Sequence, residues 1–185
     1  MSKKASKAKA ANGEKETVSK TFRIPRELDE VLIEDASSSS RTATDQFIWI
    51  LRKYAEFDRL AQRFGFATVN KPTLRALFEA IPEEKARELG ISQSDRVEAL
   101  TEFWYGKKDL DSVLGIVDMT SKYGNLYGYT TTRTDHELTI VIRTDLGAKA
   151  ALFAANYWKH GIAKALGVTP KVEVVENQVT LAIPL

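Results

Sequence analysis

Cysteine is absent from the 185 residues, and histidine occurs twice, as His136 and His160. The first absence excludes a disulfide framework, a thiolate zinc site and a cysteine nucleophile, and it fits a reducing compartment. The two histidines fall in an expected turn and on an expected helix, so neither a metal pair nor a histidine-based catalytic pair is supplied. No run approaches the ~18–20 consecutive apolar residues of a membrane-spanning helix. The start is basic but carries no apolar core before residue 18, so it does not read as a secretory signal. There is no G-x-S-x-G elbow and no Gly-rich phosphate loop. The paired carboxylates Asp109/Asp111 and Glu83/Glu84 stand at expected helix starts, where the helix dipole explains them without catalysis. The expectation is therefore a protein with no catalytic residues, no cofactor and no metal.

What is present is a chain 43% hydrophobic and 28% charged, enough for a real core. At ~100–200 residues per domain, the length suits one medium domain or two to three small modules. The net charge of +2 hides an asymmetry. Residues 1–25 hold seven basic side chains (Lys3, Lys4, Lys7, Lys9, Lys15, Lys20, Arg23) against Glu14 and Glu16, a net +5. The remaining 160 residues hold 20 basic and 23 acidic side chains, a net −3. A basic end of this kind suits a polyanion, either nucleic acid or an anionic membrane surface, and also serves as a solubilising tail.

Four regions follow from the pattern. Residues 1–17 lack a large apolar side chain and read as a disordered basic tail. Residues 18–64 begin with the alternating Val18-Ser19-Lys20-Thr21-Phe22-Arg23-Ile24-Pro25, a short strand closed by proline. A helix from Arg26 to about Ser37 follows, with Leu28, Val31 and Leu32 at helical spacing. After a polar turn, Thr42 reads as an N-cap with Asp45 three residues on, in a variant capping box. The next helix runs to about Arg63 and ends at Gly65. Residues 65–124 read as four short helices, Pro72–Ala80, Pro82–Leu89, Gln93–Tyr105 and Leu110–Tyr123, with Gly90, Gly106 and Gly124 near their ends. From residue 125 the period drops to two. Hairpin strands at Leu126–Arg133 and Glu137–Thr144 precede a helix, Leu146–Leu166, capped by Asp145. A second hairpin, Val172–Val175 and Gln178–Ile183, completes a β-β-α-β-β unit. The fold class is α+β, an antiparallel sheet with one packed helix behind a helical middle region.

Phe47-Ile48-Trp49-Ile50-Leu51, followed by Tyr54 and Phe57, sets the strongest constraint. At ~100° per residue, five consecutive apolar positions encircle a helix, and such a helix is buried all round. One short strand and one helix do not cover it. A second copy of the same chain is the simplest cover.

The segment Lys20-Thr21-Phe22-Arg23-Ile24-Pro25-Arg26-Glu27-Leu28, with the capped Thr42-Ala43-Thr44-Asp45, resembles the opening of ribbon-helix-helix DNA-binding proteins. The likeness covers about 45 residues. It implies an intertwined homodimer, or a dimer of dimers, whose paired N-terminal strands enter the major groove of double-stranded DNA in the cytoplasm, in association with the nucleoid. A lone strand leaves backbone groups unpaired, whereas a two-stranded ribbon satisfies them and fits a groove ~12 Å wide. Alternation places Phe22 and Ile24 toward the protein and Ser19, Thr21 and Arg23 toward bases. Arg23 suits the O6 and N7 of guanine, and the two hydroxyls donate or accept. An ordinary half-exposed edge strand would carry the same alternation. The first-turn amides of Thr42, Ala43 and Thr44, with Arg41 beside them, suit a phosphate. Lys20 departs from the family pattern, falling on the apolar face, from which it would reach toward phosphate. The expected dimer core is Phe22, Ile24, Leu28, Phe47, Ile48, Ile50, Leu51 and Tyr54.

Asp145-Leu146-Gly147-Ala148-Lys149, with Phe153 and Tyr157, resembles an uncharacterised C-terminal domain of prokaryotic ribbon-helix-helix proteins. That pattern carries histidine where Thr144 stands and tryptophan where Ala150 stands, so no ligand role transfers. The long C-terminal helix has two stripes. Ala148, Ala151, Leu152, Ala155, Ile162 and Leu166 suit a sheet. Lys149, Phe153, Tyr157, His160 and Lys164 suit either the middle helices, a second protomer, or a groove for nucleic acid or another partner. The leading expectation is a sequence-specific transcriptional regulator, with a protein partner or effector at the C-terminal domain. An architectural DNA-binding protein and an antitoxin-like interaction module are the alternatives.

Overall fold

The computed structural model describes residues 17–185; the basic tail expected at residues 1–17 lies almost wholly outside them. The described chain is α+β. It forms two compact units, one up to Trp49 and one from Ile50 to Leu185. No helix among the described residues is long and apolar enough to cross a membrane.

The first unit contains α1 (Arg26–Ser38) and the beginning of α2 (Ala43–Lys53). The expected strand is not formed: residues 17–25 carry no regular structure in the single chain. Strand hydrogen bonds need a partner, and this segment has none among the described residues. The turn between the helices is more specific than its serine-rich composition suggests. The amide of Arg41 donates to the carbonyl of Ala36 (2.8 Å) and that of Ser40 to Ser37 (3.1 Å). This is a Schellman closure, with Ser40 at φ 52° where glycine is usual.

In the second unit the helix continues through a π-turn, Tyr54–Asp58, into α3 (Arg59–Phe64), and Gly65 closes it at φ 85°. The π-turn has two causes, one distant in sequence and one local. The Glu56 carbonyl accepts the Trp104 indole N–H (3.0 Å), and the Ala55 carbonyl accepts Arg59 Nε (2.8 Å). Side-chain donors thus take backbone acceptors that a regular helix would pair internally.

Four helices follow: α4 (Lys71–Ala80), α5 (Glu83–Gln93), α6 (Asp95–Tyr105) and α7 (Leu110–Lys122). Asn70 caps α4 by accepting from the Thr73 amide (2.9 Å), and Asp109 caps α7 by accepting from the Ser112 amide (2.8 Å). The hairpin β1 (Gly128–Arg133) and β2 (Glu137–Arg143) leads to α8 (Ala148–Leu166), then to β3 (Lys171–Val175) and β4 (Gln178–Pro184). The antiparallel sheet has the order β1-β2-β4-β3. Period-two alternation sends Leu138, Ile140 and Ile142 of β2 and Val179, Leu181 and Ile183 of β4 to one fully covered face.

The helical middle region and the sheet share one core. Val97, Val113, Ile116, Val117, Ala151, Ala155, Trp158 and Ile162 join those strand residues. α8 lies on β3 and β4 with its alanine stripe, and α5 and α6 pack on its other side. Glycine makes that second contact possible. A Cβ on Gly90 would stand 2.4 Å from the Phe153 carbonyl oxygen, and one on Gly161 2.3 Å from Val97 Cγ2. The position of Gly90 in the last turn of α5 therefore serves close helix approach rather than termination. Asp145 does not cap α8 as expected. Gly147 holds that place at φ 93°, and Asp145 instead pairs with Lys71 Nζ at 2.8 Å.

Candidate functional site

Thr42 ends the turn of the first unit as expected. Its hydroxyl oxygen accepts from the Asp45 amide (3.1 Å) and its hydroxyl donates to Asp45 Oδ2 (2.7 Å). The Asp45 carboxylate therefore returns to the cap's hydroxyl rather than to its amide, as the capping-box reading had it. Arg41 lies across the ring of Trp49, 5.3 Å from its centroid, and donates to Gln46 Oε1 (3.1 Å). Its guanidinium is thus held beside the first turn of α2, where Ala43 and Thr44 have no helical partner for their amides. Arg41, Thr42, Ala43 and Thr44 stand together.

Ser19, Lys20, Thr21 and Arg23 are all exposed on the extended segment. Phe22 reaches α2, its ring 5.2 Å from that of Phe47. That contact agrees with a protein-facing Phe22, although its side chain stays half exposed. The expected dimer core is uncovered in the single chain. Phe22, Ile24, Leu28 and Ile48 are exposed, as are Ile50, Leu51 and Tyr54 farther along the helix, and Phe47 is half-buried. Ala36 and Gln46 are the buried residues among those described in this unit.

The second unit holds a feature that sequence reading found in part. A cavity of about 410 Å³ opens between α4, α6, α7 and α8, with the turn after α3 on its wall. Its lining is aromatic and aliphatic: Phe64, Phe66, Phe78, Phe153, Tyr157 and Trp158, with Leu74, Leu100 and Ile116. Phe153 packs against Phe78 (5.5 Å between centroids) and stacks on Tyr157 (5.8 Å). Burial pushes the Tyr157 phenol up to about 12, against a lowering by the positive charge of Arg96. Tyr127 also reaches the cavity, with its hydroxyl bonded to Thr120 Oγ1 (2.6 Å), and burial raises its phenol strongly. Arg96 is the one charged residue among those lining the space.

The aromatic stripe Phe153–Tyr157 was visible as a pattern; Arg96, on another helix, was not. The basic ends of the stripe are occupied. Lys149 Nζ donates to the Glu79 and Ile81 carbonyls (2.8 and 2.7 Å), and Lys164 pairs with Asp95. That face of α8 therefore packs mainly on the middle helices. His136 and His160 lie apart from any cluster of metal-ligating side chains among the described residues.

Comparisons of the chain with protein-family models, with curated proteins and with solved structures give no match.

Proposed function

We propose that the chain is a double-stranded DNA-binding regulator acting as a homodimer, with residues 18–25 of two copies paired as a β-ribbon in the major groove. The observation that carries this reading is the unfinished first unit. Val18, Phe22, Ile24, Leu28, Val31, Ile33 and Ile48 stay exposed around a capped helix pair that follows an extended, polar-alternating segment. Completing their burial at roughly 1 kcal/mol each, on both copies, yields on the order of ten kcal/mol. That is comparable with the ~4–15 kcal/mol cost of association. Pairing two such segments satisfies their backbone groups at the same time. Ser19, Thr21 and Arg23 would then read bases. Arg41 with the amides of Thr42, Ala43 and Thr44 would hold a phosphate, as would Lys20.

The test is selection of bound duplexes from a random pool at two salt concentrations. The expected result is an enriched sequence whose affinity falls steeply with salt. Arg23→Ala should cost about 1–3 kcal/mol on that sequence and barely alter binding to random DNA. Salt-sensitive binding with no enrichment would replace this reading with an architectural one. Failure to bind any duplex at low salt would leave the first unit as a dimerisation element alone.

A further inference from the structure

We infer that the cavity of the second unit is a binding site for a small aromatic carboxylate. Its volume, about 410 Å³, falls in the range of small-molecule sites. A 150 Å³ apolar cavity takes benzene, so this one takes a body two to three times that size. Seven aromatic side chains on the wall favour a planar ring system, through offset and edge-to-face contacts.

The charge of the occupant follows from which polar groups are already satisfied. Thr120 and Tyr127 bond to each other at 2.6 Å, and Thr144 Oγ1 accepts from the Leu146 amide at 3.2 Å. Two groups remain. Arg96 donates through Nε to Gln93 Oε1 at 2.8 Å and has no ion pair among the described residues. The neighbouring carboxylate, Asp95, is taken by Lys164. The Tyr157 hydroxyl, within the field of Arg96, has no protein partner among the described residues. A guanidinium and a neutral phenol at the same apolar space are donors without an acceptor, and no carboxylate lines the cavity. That arrangement suits an anion and rejects a cation. A carboxylate would accept from the free Nη groups of Arg96 and from the Tyr157 hydroxyl, leaving its ring system among Phe78, Phe153 and Trp158.

The inference does not depend on what the first unit binds, and its test contains no DNA. The full chain is titrated calorimetrically with naphthalene-2-carboxylate and with the neutral naphthalene-2-carboxamide. One site per chain is expected, with the carboxylate bound about tenfold more tightly than the amide. Arg96→Gln should weaken the carboxylate about tenfold and leave the amide unchanged. Arg96 is exposed, so an unaltered melting temperature is expected to accompany that loss. Leu74→Trp, which fills the cavity from its half-buried position on α4, should abolish binding of both probes. Equal affinity for the two probes, carboxylate binding indifferent to Arg96→Gln, or no measurable heat with the unaltered chain would each overturn the assignment.

Discussion

In the second unit Ile116, Ile140, Ile142, Ile162 and Leu181 are wholly removed from solvent; in the first, Phe22, Leu28, Val31 and Ile33 are each more than half exposed. The two units draw on the same residue types. What differs is the number of layers available to cover them. The second unit has a four-stranded sheet, α8 lying on it, and α5 and α6 beyond. The first has two helices and an extended segment with no partner strand. A helix pair alone does not enclose the apolar residues it presents. The first unit thus leaves its apolar residues exposed, and the second encloses its own. The proposed division of roles follows the same line: assembly on a symmetric partner for the first unit, enclosure of a small ligand for the second.

The enclosed core of the second unit is the most sensitive to substitution. Ile140→Ala leaves a void at the centre of β2, on the covered face of the sheet, and should cost about 2–5 kcal/mol. Calorimetry should show the second unit's transition lowered at every protein concentration, with the first unit's unmoved. Ile48→Asp is the converse. Its side chain is exposed in the single chain, so the second unit's transition should stay where it is. The first unit's transition should lose its concentration dependence, because dissociation no longer has to precede unfolding. Sedimentation equilibrium should then find a monomer. If the unaltered chain is already monomeric at tens of micromolar, the proposed dimer is wrong.

The second unit is also sensitive to alkaline pH. Tyr157 is pushed up to about 12 by burial, against about 10 in an unfolded chain. Below pH 10 the phenol is protonated in both states and its contribution is fully present. Between pH 10 and 12 the unfolded chain releases the proton while the folded one keeps it, so stability falls as pH rises. In Tyr157→Phe this loss is missing. Stability of the unaltered protein should therefore drop more steeply over that window, by up to about 2 kcal/mol. Tyr129, also pushed up to about 12, contributes equally to both proteins.

Much of the second unit was legible because its signals are local. Pro72 and Pro82, the helix-start carboxylate Asp109, and the change to period two after Gly124 set element limits through short-range chemistry. The π-turn at Tyr54–Asp58 was not legible, since it depends on Trp104 reaching Glu56 across 48 residues of chain. The misplaced cap at Asp145 has the same origin. Lys71 draws its carboxylate away, and Gly147 supplies a backbone conformation that other residues rarely adopt. For the cavity, Phe153 and Tyr157 stood out as a stripe on one helix, but Arg96 acquires meaning only when α6 meets α8. In the first unit the helices and Thr42 were readable. The strand was not realised, because a strand is a property of two segments and this one has no partner among the described residues.

The smallest effect separates two roles at one residue. Thr42 caps α2 through the Asp45 amide and its hydroxyl reaches Asp45 Oδ2. Thr42→Ala removes the acceptor and should lower the first unit's stability by about 1 kcal/mol, leaving the second unit's transition unchanged. Thr42→Asp retains a cap acceptor and suits the positive end of the helix dipole, so the first unit should keep most of its stability. It also places a negative charge beside the amides of Ala43 and Thr44 and near Arg41. If a phosphate docks there, Thr42→Asp should weaken binding to every duplex by a similar factor, with no change in preferred sequence. Loss of stability in Thr42→Ala with undiminished DNA affinity in Thr42→Asp would restrict Thr42 to capping, and the phosphate contacts would fall to the lysines and arginines of the ribbon.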